Sequence, residues 1–190
     1  MHPDRLAGFR VAILSTDLFE EPELTEPRKF LQEAGAQTFL IAPHGGEIQA
    51  AHHGEPAELR LQVDQTLAEA DPEQFDALLL PGGKLNSEAL RGDALAVEFV
   101  RHFANTQRAI AAICHGGLVL IAANLVKGRH LTSYHAVQQD FVNAGAFWYD
   151  KPMVRDGNLV TSRQPADIPS FNQEMLNLFI DQQLRSHAAA

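Results

Sequence analysis

The chain has 190 residues, with 45% hydrophobic and 21% charged, which suits one globular domain hiding roughly 70% of its unfolded surface and excludes a disordered or fibrous chain. The formal net charge is -9 and no run of lysine and arginine forms a phosphate-binding stripe, so neither DNA nor RNA is an expected partner. The longest apolar stretches, Ile110 to Ile113 and Leu118 to Ala123, fall well short of the ~20 residues that cross a bilayer, and the start MHPDRLAGFR lacks a signal-peptide core, so no membrane partner and a cytoplasmic location are expected.

Phe9 to Ser15 (FRVAILS) reads as a buried first strand. The acidic segment Glu20, Glu21, Glu23 leads into LTEPRKFLQEAGA, a predicted helix with Leu24, Phe30 and Leu31 on one face and Gly35 as its stop. Gln37 to Ala42 (QTFLIA) is a second strand, closed by Pro43, Gly45 and Gly46. Residues 47 to 66 alternate apolar and polar positions, which predicts an antiparallel ribbon at the sheet edge. FDALLLPGG, residues 75 to 83, predicts a central strand running into a tight turn, and Ala94 to Asn105 predicts an amphipathic helix. AIAAIC is a further buried strand, continuing directly into HGGLVLIAANL. A helix over His135 to Asn143, a hairpin around Asp156, Gly157 and Asn158, and a terminal helix over Asp167 to Gln183 complete the pattern.

This alternation predicts a single α/β domain spanning residues 1 to 190, with a mostly parallel, doubly wound sheet and helices on both faces. Ligands of such sheets gather at the carboxyl ends of the strands, where Cys114, Gly82 and Gly83 fall.

Cys114 is the single cysteine, so it forms no internal disulfide and is either an inert core filler or a reactive group. Its context favours the second. AAICHGGLVL places it where an apolar strand ends and an apolar helix begins, with Gly116 and Gly117 allowing a sharp turn, the pattern of a nucleophile elbow. Helix amides beside such a sulfur favour a thiolate and pull its pKa below the free value near ~8.5. His115 adjoins it, but adjacent side chains on a turn diverge, which suggests a supporting role. Gly82 and Gly83, with the His115 amide, are candidate donors to an oxyanion formed when Cys114 attacks a carbonyl. Glu20, Glu21 and Glu23 lie after the first strand, where one carboxyl can reach the sulfur; at least one of them serves only as a solvated helix start. His44, His52 and His53 with Glu47 and Glu55 lack tight ligand spacing, so no metal is expected, and the paired glycines fit no nucleotide motif, so no cofactor is expected either.

FEEPELTEPRKFLQEAG, FDALLLPGG, AAICHGGLVLIAANLVKGRHLTSY, NAGAFW and DGNLVTSRQPADIPSF, in that order, resemble the PfpI family of intracellular proteases and general stress proteins over nearly the whole chain. The resemblance implies a flavodoxin-like fold similar to class I glutamine amidotransferases, within a superfamily that includes the parkinsonism-associated deglycase. By this resemblance Cys114 matches the nucleophile and His115 the adjacent histidine. Glu23 matches the carboxyl set against the nucleophile and Glu20 a second acid, their relative importance left open. Glu88 falls where members supply a carboxylate to the histidine of a neighbouring subunit, and Tyr134 matches an aromatic hydroxyl near the pocket. Gly117 and His135 replace prolines found in many members.

The implied function is a stress-response cysteine hydrolase acting on carbonyl groups. Its substrates are small aldehydes such as methylglyoxal and glycated proteins, in a glyoxalase or deglycase reaction, or peptides in an intracellular peptidase reaction. The alternative is a non-catalytic oxidative-stress sensor or chaperone-like protein using the same thiol. The resemblance also implies a homodimer or higher homo-oligomer.

Overall fold

In the computed structural model, which describes residues 4–189, the uninterrupted apolar runs become the inner strands of one sheet. From the amino end come β1 (Arg10–Leu14), β2 (Phe19–Glu20), α1 (Glu21–Glu33), β3 (Gln37–Ala42), β4 (Glu47–His52), β5 (Glu55–Gln62), β6 (Gln65–Thr66) and β7 (Ala77–Leu80). They are followed by α2 (Lys84–Gly92), α3 (Ala94–Asn105), β8 (Ala109–Ile113), α4 (Leu118–Ala122), β9 (His130–Leu131), α5 (Gln138–Asn143), β10 (Phe147–Trp148), β11 (Met153–Asp156), β12 (Leu159–Ser162) and α6 (Ile168–Ala189).

The main sheet has seven strands in the order β11-β12-β8-β7-β1-β3-β6. All its pairings are parallel except that of β11 with β12, the hairpin whose turn holds Gly157 at φ +56°. Because side chains alternate across a strand, Val11 and Ile13 of β1 enter one core and Ala12 and Leu14 the other. The first core is closed by α1 and α6 through Leu24, Leu31, Phe171, Met175 and Phe179. The second is closed by α3, α4 and α5 through Phe99, Phe103, Leu118 and Phe141. Both faces are therefore covered, as the all-apolar strands require. Each fully buried large side chain supplies roughly 1.5–3 kcal/mol.

Several boundaries differ from the sequence reading. The ribbon of β4 and β5 is antiparallel as expected, but it joins β2 in a separate three-stranded sheet, and β6 takes the edge of the main sheet. Pro22 in the first turn, where no amide bond is lost, lets α1 begin at Glu21, which draws Glu23 into the helix. The segment His135 to Asn143 divides into a 3-10 turn and α5, and α6 starts after a second such turn that contains Asp167. The sequence reading did not include α2, whose inward face carries Asn86 and Ser87 beside Leu90, nor the two-residue strands β2, β9 and β10, which are too short to show a periodicity. Among the described residues no helix is long and apolar enough to cross a membrane.

Candidate active site

β8 ends at Ile113, and the chain turns at once: Cys114 takes φ +61°, a conformation that costs a non-glycine residue energy and persists only where neighbours impose it. The neighbours are clear. The Cys114 amide donates to the Ser162 carbonyl at 3.0 Å, and its carbonyl accepts from the Tyr134 amide at 3.1 Å. Gly116 makes the turn possible, since a Cβ there would sit 2.3 Å from the Leu80 carbonyl oxygen. The helix after the turn, α4, has only five residues, so the macrodipole expected from the sequence is small and individual amides take its place.

Cys114 is 8% exposed, and its sulfur lies 3.2 Å from Nδ1 of His115. The two side chains meet, contrary to the expectation that they diverge. The His115 ring also leans on Tyr134, with centroids 5.0 Å apart and planes inclined by 30°. Burial, aided by the Lys84 charge and opposed by Glu88, lowers the His115 pKa below the ordinary 6.5, so the ring is neutral at pH 7.

Glu23, from the first turn of α1, is the acid that reaches the sulfur. It is fully buried, and neither carboxyl oxygen has a partner with full hydrogen-bond geometry. Burial, joined by the charge of Glu20, raises its pKa from 4.5 to about 8 against the Cys114 thiol and the Gly82 amide, which lower it. It therefore keeps its proton at neutral pH. Glu20 plays a different part: its carboxylate accepts the His53 amide at 3.0 and 3.2 Å, tying the tip of the β4–β5 ribbon to the site.

Burial and the charge of an ionised Glu23 push the Cys114 thiol up, whereas the His115 and Gly83 amides pull it down. The amides expected from the sequence are present, but burial outweighs them, which corrects the expectation of a lowered thiol. The two anions disfavour each other, so proton retention by Glu23 removes one cause of the upward shift.

The glycines divide their tasks. The Gly83 amide, with that of His115, pulls the Cys114 thiol down, whereas the Gly82 amide pulls Glu23 down, so the two glycines act on different groups. Glu88 is exposed, is paired with Arg91 at 2.9 Å, and lies on the rim of the same cavity as His115. That cavity, about 460 Å³, holds Cys114, His115, Glu20 and Glu23, and is walled by Tyr134, Val137 and Pro165. His44, His52 and His53 are separated by use: His44 meets Asp17 at 2.9 Å, His52 meets Glu21 at 3.1 Å, and His53 gives its amide to Glu20. Among the described residues no group of three His, Cys, Asp or Glu side chains is placed to hold a metal.

Sequence reasoning missed Lys84, His53 and Asn86. Lys84 and His53 line the cavity from segments that read only as polar loops. Asn86 is fully buried beneath the PGG turn, and no apolar pattern in its segment marked the position.

A doubly wound sheet with a strained cysteine turn, an adjoining histidine and a buried acid defines a class of α/β proteins built around one thiol. The chain belongs to the DJ-1/PfpI family, whose sequence pattern matches residues 9–178. It is 41% identical over 170 residues to protein/nucleic acid deglycase 2 of Escherichia coli, covering 89% of this chain and 96% of that protein. It is 40% identical over 169 residues to YraA of Bacillus subtilis, a cysteine protease by name, covering 89% of this chain and 97% of the relative. Among solved structures, Drosophila melanogaster DJ-1beta superposes with a TM-score of 0.82 at 25% identity, covering 96% of this chain and 98% of that one.

Proposed function

We propose that the chain is a cysteine-dependent hydrolase of reactive carbonyl groups, of the glyoxalase or deglycase type, working in the cytoplasm under carbonyl stress. One observation carries this reading: the Cys114 sulfur, 3.2 Å from a neutral histidine nitrogen, faces a cavity of about 460 Å³ beside a protonated acid and two amides.

Small aldehydes and their adducts on proteins are the substrates. As an aldehyde enters, Nδ1 of His115 takes the thiol proton, the sulfur bonds to the carbonyl carbon, and the Gly83 and His115 amides receive the charge on oxygen. Protonation of that oxygen by His115 or Glu23 completes a hemithioacetal. With a dicarbonyl, base-assisted movement of the adjacent proton converts this adduct to a thioester, and water then releases a hydroxy acid and the free thiol. Peptide cleavage asks more, because an amine leaving group needs an acid aligned with its nitrogen. The redox-sensor alternative draws on a resting thiolate, which the upward push on Cys114 disfavours.

Glu88 supports the protonated form of His115 after proton transfer, within the chain or from a neighbour in a homo-oligomer. The test is steady-state turnover of methylglyoxal and of casein by the wild type and by Cys114→Ser. The expected result is methylglyoxal turnover that falls at least ~100-fold in the variant, as removal of a nucleophile does. Activity retained in the variant overturns the reading.

A further inference from the structure

The amides of Gly82 and Gly83 belong to consecutive peptide units, and a third residue holds both units from behind. Asn86, in the first turn of α2, is fully buried. Its Oδ1 accepts the Thr16 amide at 2.8 Å and the Ser15 hydroxyl at 3.3 Å. Its Nδ2 donates to the Gly82 carbonyl at 2.9 Å and to the Pro81 carbonyl at 3.2 Å. The amide's orientation is settled by its partners, since only NH2 can serve two carbonyls and only oxygen can serve a backbone N–H.

A peptide unit is planar, and in the trans form its C=O and N–H point in opposite directions; the described residues contain no cis bond. Holding the Pro81 carbonyl therefore fixes the Gly82 N–H, at a residue whose Cβ would lie 2.0 Å from Oε2 of Glu23, and holding the Gly82 carbonyl fixes the Gly83 N–H, on the wall of the cavity that contains Cys114; the first amide lowers the pKa of the acid and the second that of the thiol. The Gly82 carbonyl has one further donor, the Glu20 amide at the longer distance of 3.3 Å. Gly83 also sits at φ +97°, a residue that other backbone conformations would suit equally well without such a restraint.

We infer that Asn86 is a positioning residue: through the Pro81–Gly82 and Gly82–Gly83 peptide units it aims one amide at the acid and the next at the sulfur, and so sets the reactivity of Cys114. The inference rests on the reading of Cys114 as a reactive thiol. It touches neither substrate nor sulfur, and it ties the ends of β1 and β7 together at the point where both feed the cavity.

The experiment is the rate of Cys114 alkylation by iodoacetamide across pH 5 to 11, which needs no knowledge of the natural substrate. Asn86→Ala should move the alkylation midpoint up by about one unit and slow the reaction at pH 7 about tenfold, the size of one lost hydrogen bond to a charged group. Ser15→Ala, which removes a bond only on the acceptor side, should lower the melting temperature slightly and leave the midpoint in place. Asn86→Ser, able to donate to one carbonyl, should fall between, and serves if the alanine variant does not fold. In the wild type, the Asn86 side-chain NH2 protons should exchange slowly, and the Gly83 amide shift should follow the titration of Cys114. An unmoved midpoint in a folded Asn86 variant, or rapid exchange of those protons, overturns the inference. A wild-type Cys114 that iodoacetamide leaves unmodified throughout pH 5 to 11, while the unfolded chain is alkylated, overturns the reactive-thiol reading itself.

Discussion

Oε2 of Glu23 occupies the space where a side chain on Gly82 would begin: a Cβ at that position would lie 2.0 Å from the oxygen and 2.7 Å from Cβ of Cys114. Glycine at position 82 is thus required by the acid rather than by backbone conformation. Gly82→Ala should displace Glu23 from the sulfur, lower turnover at least tenfold and reduce stability by about 2 kcal/mol, in the range of overpacked cores. Steady-state kinetics and denaturant unfolding check both; a variant with wild-type turnover would show that the contact between acid and sulfur is dispensable.

The proton on Glu23 ties stability to pH. Its pKa is about 8 in the folded chain against 4.5 for an ordinary glutamate. Between these values the unfolded chain has released a proton that the folded chain retains, so stability falls as pH rises through that interval. Below about 4.5 the contribution is intact, and above about 8 it is lost. Glu23→Gln should remove this slope and gain on the order of 3–5 kcal/mol over the wild type between pH 4 and pH 9. Urea unfolding at a series of pH values measures it, and parallel curves for the two proteins would contradict the assignment.

Charges of opposite sign near His115 should act on it in opposite directions. Lys84 lowers its pKa and Glu88 raises it. Lys84→Ala should therefore move the ring's titration up towards 6.5, and Glu88→Gln should move it further down. Proton NMR of the ring through a pH titration reads both shifts, and movement of both in the same direction would refute the placement.

Phe103 is fully buried between α3 and the sheet, with its ring 5.4 Å from that of Phe99. Phe103→Ala should cost about 3–5 kcal/mol through the cavity left behind while leaving Cys114 alkylation unchanged, since the site is built on other elements. Thermal unfolding and alkylation rates measured on one preparation decide the matter.

The legibility of the molecule followed the strength of its apolar pattern. β3 and α3 have the ends that their sequences indicate, because turn formers or an aspartate cap stand at their limits. The turn at Cys114 was legible from Gly116 and Gly117 following a wholly apolar strand. The helix α2 was not, because its buried face carries Asn86 and Ser87, which periodicity reads as exposed. The choice between Glu20 and Glu23 was equally hidden: it depends on α1 beginning at Glu21, which turns Glu23 inward, and on the tip of a distant ribbon presenting an amide to Glu20. The encounter of His115 with the sulfur depends on a left-handed residue between strand and turn, a torsion that composition does not announce.

The main chain of Cys114 is clamped on both sides, by Ser162 at the end of β12 and by Tyr134 beyond β9. A sulfur mounted in this way has little freedom to recoil when it acquires a substituent, so the shape of the surrounding chamber decides which adducts are accommodated. Natural variation in the stretches around Tyr134 and Ser162 should accordingly retune chemical selectivity without altering any group that reacts.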